Sequence, residues 1–183
     1  IVVDALLFVG NDAYADTWDA LASHGDRESM QRILKDPHIG TFAVIRLICY
    51  FLASFALWDS LEQFRPLPFL LSFCLSRTLS ALSLTAFPLR EGSGLARSFS
   101  EAADRKTVRL FCMILSLLLS AGLLLCGGWA MLPAAVLVFW HYHRTAVKKF
   151  GGVSGDLAGW FLQKAEFWML FCFCAVQYME KFL

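Results

Sequence analysis

Long apolar stretches, separated by short polar loops, limit what this chain can fold into more than any other feature. Five are candidates to cross a membrane: residues 41–58, 67–87, 108–126, 129–142 and 157–179. A spanning helix needs about 20 apolar residues. The fourth stretch is short and contains Pro133, so we expect it to be tilted or partly buried in protein. Because 58% of the residues are hydrophobic, the sequence predicts an all-α fold: a polytopic integral membrane helical bundle with about five spans.

The whole chain, residues 1–183, is expected to form a single membrane-embedded helical domain. Residues 1–9 are apolar apart from Asp4, and we interpret them as the tail of a hydrophobic segment that begins before Ile1. Residues 11–40 are polar with a helical pattern, and Asp26 is expected to cap a short amphipathic helix there. Residues 41–183 then hold the spans and the polar loops between them.

Lys and Arg residues are concentrated on one side of the predicted topology. The loops 11–40, 88–109 and 143–156 hold Arg27, Arg32, Lys35, Arg90, Arg97, Arg105, Lys106, Arg109, Arg144, Lys148 and Lys149. The opposite side holds only Arg65 and Lys181. The positive-inside rule makes the first side cytoplasmic, so three polar loops are expected to build one site on one membrane face. The net charge of +1 argues neither for nor against nucleic acid, and no nucleic-acid partner is predicted.

Three carboxylates recur at helical spacing near the start of the chain. Asp12, Asp16 and Asp19 stand at i, i+4 and i+7, which places them at about 0°, 40° and −20° around a helix. Like charges this close repel one another, and hard oxygen ligands suit Mg²⁺ or Mn²⁺. The pattern indicates a divalent-metal site, although a solvated acidic face explains the eight residues alone about as well.

A glycine-rich loop, residues 151–156, precedes the last predicted helix. Gly151, Gly152, Ser154 and Gly155 are candidate phosphate-binding residues, because glycines let the backbone approach a phosphate and a helix N-terminus offers free N–H groups. Arg144 and Lys148 add positive charge upstream. Asp156 is expected either to cap the helix or to bind metal. Glycine loops before helices are common, and no Walker A motif follows.

Lys35 and Asp36 lie where the polar segment meets the first complete span. Lys35 is a candidate phosphate ligand and Asp36 a candidate metal ligand. The neighbouring Pro37 and Gly40 fit a simple helix stop and turn equally well.

Charged residues inside predicted spans require partners, because a central charge costs about 2.5–3.5 kcal/mol on insertion scales. Arg77 lies midway along its span and cannot easily reach water, and Glu166 is one candidate partner. At this stage a purely structural role for an Arg77–Glu166 pair is as well supported as a functional role.

Three stretches in order, residues 15–21, 26–40 and 150–157, together with Glu166, resemble the cobalamin synthase family, also called adenosylcobinamide-GDP ribazoletransferase. The resemblance implies a Mg²⁺-dependent inner-membrane enzyme of vitamin B12 assembly with its active site on the cytoplasmic face. Such an enzyme joins adenosylcobinamide-GDP to α-ribazole, or its 5′-phosphate, and releases GMP.

The family pattern reads His-x-Asp-Gly-x-Ala-Asp-Thr-x-Asp-Gly. Its acids correspond to Asp12, Asp16 and Asp19, whereas its His and two Gly positions are Gly10, Ala13 and Ala20 here. The roles that follow from this resemblance are of three kinds. Metal binding is expected at Asp12, Asp16, Asp19 and Asp156, catalysis at Asp16, Asp19 and Asp36, and phosphate binding at Lys35, Arg144, Lys148, Gly151, Gly152, Ser154 and Gly155.

Two other classes of protein remain open at this stage. A CDP-alcohol phosphatidyltransferase also carries spaced aspartates on a membrane helix, but its motif requires an Arg where this chain has Asp16. A non-catalytic membrane protein or transporter subunit accounts for the replaced His and Gly residues, but it predicts charges along a path through the midplane. Besides the substrates and the lipid bilayer, a homo-oligomer is an open alternative.

Overall fold

The structure, a computed structural model, describes residues 2–36, 38–90 and 104–181. Within these ranges the chain forms α1 Val2–Ala22, α2 Arg27–Ile33, α3 Thr41–Asp59, α4 Pro66–Ala86, α5 Arg105–Leu125, α6 Met131–Thr145 and α7 Gly155–Glu180. A π-helical turn, Ala146–Phe150, joins α6 to the loop before α7. The prediction of an all-α bundle is confirmed. The glycines at 92 and 94, Arg97 and Pro37 lie outside the described residues.

Local sequence explains where several helices begin. Asp26 caps α2 as predicted, because its Oδ1 accepts a hydrogen bond from the Ser29 N–H at 3.0 Å. Asp104 caps α5 in the same way, accepting from the Lys106 N–H at 3.2 Å. Helix α4 begins at Pro66, a residue that suits the first turn because it needs no N–H there.

Helix α1 packs antiparallel to α7. Gly10 lies so close to α7 that a Cβ there would be 2.6 Å from the Gln163 Nε2. Further along α1 the Trp18 ring meets the Trp160 ring at 6.1 Å. Helix α3 also runs antiparallel to α1, since Tyr14 contacts Tyr50 with ring centroids 5.0 Å apart. The second half of α1 is therefore held between two helices.

The best-buried part of the core lies where α4, α6 and α7 meet. Tyr142 and Phe161 stack with ring centroids 4.9 Å apart, and both are fully buried. The Tyr142 hydroxyl is 3.1 Å from the Ser83 hydroxyl, which satisfies two polar groups in an apolar setting. Helix α6 buries Met131, Ala134 and Val138 as well, so the prediction that this stretch is partly buried in protein is confirmed.

In the part of the chain that the structure describes, three helices are long and apolar enough to cross a membrane by length and composition: α3, α4 and α5, with mean hydropathies of 1.8, 1.5 and 2.3. Large apolar side chains on α3 and α5 are exposed, as expected of lipid-facing helices: Phe42, Phe55, Leu117 and Leu118. The other two predicted spans also form helices, but these do not meet the length and composition criteria for a spanning helix. Helix α6 has only 15 residues, and α7, although 26 residues long, is interrupted by Gln163, Lys164 and Glu166.

Polar loops collect at one end of the bundle. Leu89, after α4, forms a parallel bridge with Val153, before α7. The Gln31 side chain of α2 donates to the Phe150 carbonyl at 3.2 Å. At the opposite end Lys181 pairs with Glu62 at 2.7 Å. The predicted meeting of the polar loops at one end is therefore present in the described residues, and we call this end the polar end.

The predicted partner of Arg77 is also confirmed. Its guanidinium forms an ion pair and a hydrogen bond with the Glu166 Oε1. The Ser76 hydroxyl donates to the same oxygen at 3.0 Å. The pair joins α4 to α7 and gives each of these two charges a partner.

Candidate active site

The acidic face of α1 has the geometry that the sequence spacing predicts. Asp12 is exposed and Asp16 and Asp19 are half-buried, whereas Thr17 and Ala20 are fully buried. The three carboxylates thus lie on one side of the helix while small residues pack on another. Because α1 continues without a break through Asp19, their relative positions are fixed by the helix itself.

Asp16 is the carboxylate most affected by its surroundings. Burial, and then the neighbouring charges of Asp12, Asp156 and Asp19, raise its pKa to about 6. Asp16 lies on α1, outside the three apolar candidate spans, whereas Asp156 belongs to the first turn of α7. The charge of Asp156 therefore reaches Asp16 across the interface between two helices, and the acids form one electrostatic group.

This group is not a preformed metal cage. Among the described residues, no set of three or more His, Cys, Asp or Glu side chains is arranged closely enough to hold a metal ion by itself. Mg²⁺ typically keeps several waters and binds one or two carboxylates together with substrate phosphates. The neighbouring carboxylates disfavour the charged form of Asp16, and a nearby cation would relieve this repulsion. A hydrated Mg²⁺ ion fits such a group of oxygen ligands, because it does not require three direct protein ligands.

Gly40 is a feature of the site that motif reading missed. A Cβ at this position would lie 2.2 Å from the Asp19 Oδ1 and 2.3 Å from its Oδ2. The start of α3 is therefore pressed against the carboxylate, and only a residue without a side chain leaves Asp19 where it is. The sequence shows a glycine after a proline, which indicates a turn but not this contact.

In the glycine loop, two candidate phosphate-binding amides are already used. The Gly151 and Gly152 N–H groups both donate to the Ala146 carbonyl, the latter at 2.9 Å. Gly152 has φ +154°, and a Cβ there would be 2.6 Å from the Arg90 N. These glycines therefore shape the turn and leave room for the backbone of residues 88–90. The N–H groups without helix partners are those in the first turn of α7, at Gly155 and Asp156.

Ser154, not Asp156, caps α7. The Ser154 Oγ accepts a hydrogen bond from the Leu157 N–H at 3.4 Å. The interpretation of Asp156 as a helix cap is wrong, because the serine one position before the helix already occupies that place. The Asp156 Oδ2 instead accepts a hydrogen bond from the Ser154 hydroxyl at 3.5 Å.

Arg90 is a second residue that motif reading missed. Its side chain is 8% exposed, and its Nη2 lies 3.8 Å from the Asp156 Oδ2. Its backbone N–H donates to the Val153 carbonyl at 3.0 Å, and the Val153 N–H donates to the Pro88 carbonyl at 2.8 Å. A buried guanidinium is thereby held beside the first turn of α7, where it suits an anionic ligand.

The remaining predicted residues, Lys35, Asp36, Arg144 and Lys148, also lie at the polar end. Asp36 is exposed and accepts hydrogen bonds from the His38 N–H and its ring Nδ1, which lower the pKa of Asp36. Lys35 and Lys148 are exposed. The Arg144 guanidinium lies over the Trp140 ring, 4.7 Å from its centroid. In the described part of the chain, none of the four is recorded in contact with the α1 acids.

Comparison with known proteins gives a consistent result. A family model described as cobalamin-5-phosphate synthase matches residues 7–174. An adenosylcobinamide-GDP ribazoletransferase of Lachnoclostridium phytofermentans is 36% identical over 158 residues, which cover 85% of this chain and 60% of that protein. Proteins of the same name from Pseudomonas putida GB-1 and Clostridium botulinum Alaska E43 are 34% and 32% identical, and the matches cover 63% and 66% of their lengths.

This chain thus spans less than two thirds of the length of these curated relatives. No solved structure matches it.

Proposed function

Because this chain belongs to the cobalamin-5-phosphate synthase family, we propose that it carries the membrane-embedded site of an adenosylcobinamide-GDP ribazoletransferase. The reaction joins adenosylcobinamide-GDP to α-ribazole, or its 5′-phosphate, and releases GMP. The observation that supports this most directly is the raised pKa of Asp16, about 6, since its causes include acids from both α1 and α7. That coupling is what a site for a cation-bridged diphosphate requires.

Mg²⁺ is the proposed cofactor, with Asp12, Asp16, Asp19 and Asp156 as its carboxylate ligands. When bound, it supplies positive charge that offsets the charge developing on the leaving GMP. Gly40, which has no side chain, leaves room for the Asp19 carboxylate, and the Arg90 Nη2 lies 3.8 Å from the Asp156 Oδ2. The protein therefore contributes several carboxylates that it holds in fixed positions despite their mutual repulsion.

The phosphoryl transfer needs a nucleophile, a proton acceptor and charge stabilisation. A ribose hydroxyl of the acceptor attacks the phosphorus linked to the corrinoid, and a new P–O bond forms as the P–O bond to GMP breaks. The hydroxyl proton passes to a carboxylate that is not bound to the metal. Asp16, whose pKa without metal is raised to about 6, is one candidate. Asp19 and Asp36 are the other candidates.

Phosphate oxygens are proposed to bind at the first turn of α7. The amides of Gly155 and Asp156 point out of the helix start, where the macrodipole also favours an anion. Lys35, Arg144 and Lys148 are exposed at the same end and draw an anionic substrate towards it. The excess of Lys and Arg at this end supports a cytoplasmic active site in the inner membrane.

The test is release of GMP from adenosylcobinamide-GDP by the full chain in lipid, with and without Mg²⁺. Asp16→Asn is expected to abolish Mg²⁺-dependent release while membrane insertion stays intact. Asp59→Asn is the matched control, because Asp59 is an exposed acid at the far end of α3. Full activity in Asp16→Asn would remove the proposed role of the acidic face.

A further inference from the structure

A cavity of about 440 Å³ lies between α1, α3, α4 and α7, apart from the acidic face. Small-molecule sites in proteins typically occupy about 300–1,000 Å³. Most of its wall is aromatic, and the rings include Tyr50, Trp58, Phe73 and Phe167. Flat aromatic walls favour a flat aromatic occupant, whose faces can stack on them.

Helix α7 contributes an amide and a carboxylate to the cavity. Gln163 and Glu166 are three residues apart, so they project from the same face of the helix. The Tyr50 hydroxyl donates to the Gln163 Oε1 and fixes the orientation of that amide. One side of an otherwise aromatic cavity therefore carries an amide and a carboxylate.

Glu166 has one oxygen in use and one without a recorded donor. Its Oε1 accepts from the Ser76 hydroxyl at 3.0 Å and from the Arg77 guanidinium. For Oε2, no donor is recorded in residues 2–36, 38–90 and 104–181. The Glu166 side chain is 16% exposed. A half-buried carboxylate oxygen is stabilised by an N–H or O–H group, so the cavity favours a ligand that donates a hydrogen bond over a lipid chain or an anion.

One wall of the cavity includes the residue of α1 that precedes the proposed catalytic acids. Asn11 lines it and directly precedes Asp12. The helix rise from Asn11 to Asp16 is about 7.5 Å, a distance that a ribose and one phosphate can cover. A nucleotide with its base in the cavity can therefore reach the acidic face with its phosphates.

We propose that this cavity binds the guanine ring of the GDP-activated substrate, with the ring N1–H donating to the Glu166 Oε2. This proposal rests on the function proposed above. Guanine presents N–H donors at its edge, whereas the ring nitrogen of α-ribazole that once carried hydrogen is bonded to ribose. Glu166 then selects the activated substrate's base and rejects the acceptor's ring.

Binding of guanosine alone tests this without catalysis or metal. Equilibrium dialysis of labelled guanosine against the full chain in lipid nanodiscs, without Mg²⁺, is expected to show saturable binding. N1-methylguanosine, which lacks the N–H, is expected to bind at least about tenfold more weakly. Equal affinity for the two nucleosides, or displacement of guanosine by α-ribazole, would overturn the proposed hydrogen bond.

Variants of the wall test the location. Ser54→Phe places a ring in the cavity and is expected to abolish guanosine binding. Ser116→Phe, at a half-buried position of α5 outside this cavity's wall, is expected to leave binding unchanged. Unchanged binding in Ser54→Phe contradicts the location. Asp16→Asn is expected to lose GMP release but to keep guanosine binding, so failure of the base site and failure of the catalytic proposal give different results.

Discussion

Replacing Gly152 with alanine is expected to damage the site through the backbone alone. A Cβ at Gly152 would lie 2.6 Å from the Arg90 N and 2.7 Å from both the Leu89 carbonyl carbon and the Pro88 oxygen. All three are backbone atoms, so the rotation of a side chain cannot relieve the clash. The 88–90 segment must move off the loop before α7, and the left-handed φ of +154° is unfavourable for alanine as well.

The magnitude follows from what the shift breaks. Two backbone hydrogen bonds join this segment to Val153, at 2.8 and 3.0 Å, and their loss costs about 1–3 kcal/mol together. Backbone strain adds about 1–3 kcal/mol, and the lower chain entropy of alanine offsets about 0.4–1 kcal/mol. The net destabilisation is about 1–6 kcal/mol, or at least about 2 °C in melting temperature for a chain of this size.

The matched control is Gly155→Ala in the same loop. A Cβ at Gly155 meets no atom within 4 Å, so this variant is expected to melt within error of the parent. Thermal unfolding followed by tryptophan fluorescence in detergent measures both. The reasoning is refuted if Gly152→Ala melts like the parent, or if the two variants lose the same stability.

Other consequences follow from the same contacts. Because the pKa of Asp16 is about 6, protons compete with Mn²⁺, and its affinity is expected to fall roughly tenfold per pH unit below 6; a flat profile in a titration would contradict this. Without metal, the raised pKa of Asp16 contributes stability that is fully present below pH 3.8 and is lost as the pH rises through about 6. Because Asp16→Asn removes this titration, the variant should show a flatter dependence of melting temperature on pH. Gly40→Ala must rotate the Asp19 carboxylate and should weaken Mn²⁺ binding several-fold with little change in melting, whereas unchanged affinity would show that Asp19 takes no part. Replacing both Arg77 and Glu166 by leucine should destabilise less than either single change, because each single leaves a charge unpaired; additive losses in melting would exclude a coupled pair.

Features that depend on periodicity and charge could be predicted from the sequence. The acids of α1 share a face because their spacing matches the helical repeat, and Asp26 caps α2 because an aspartate before a helix start accepts its N–H groups. The pairing of Arg77 with Glu166 followed from the cost of a lone charge in a membrane. Each of these depends on neighbours along one helix or on a small set of available partners.

The contacts that complete the site could not be predicted in this way. Gly40 against Asp19, and Arg90 beside Asp156, join segments that are far apart in sequence. A glycine with nothing unusual in its neighbourhood gives no signal that another chain segment approaches it. For the same reason the loop glycines at 151 and 152 were interpreted as phosphate ligands, although they mainly shape the turn.

The shared acidic site is tested most directly by Mn²⁺ binding, measured by electron paramagnetic resonance on the full chain in nanodiscs at neutral pH. The account predicts that the parent binds Mn²⁺, that Asp16→Asn and Asp156→Asn each weaken binding, and that the double variant is scarcely weaker than either single. Binding by Asp156→Asn as tight as in the parent, or no binding in the parent at all, would show that α1 and α7 do not share an ion.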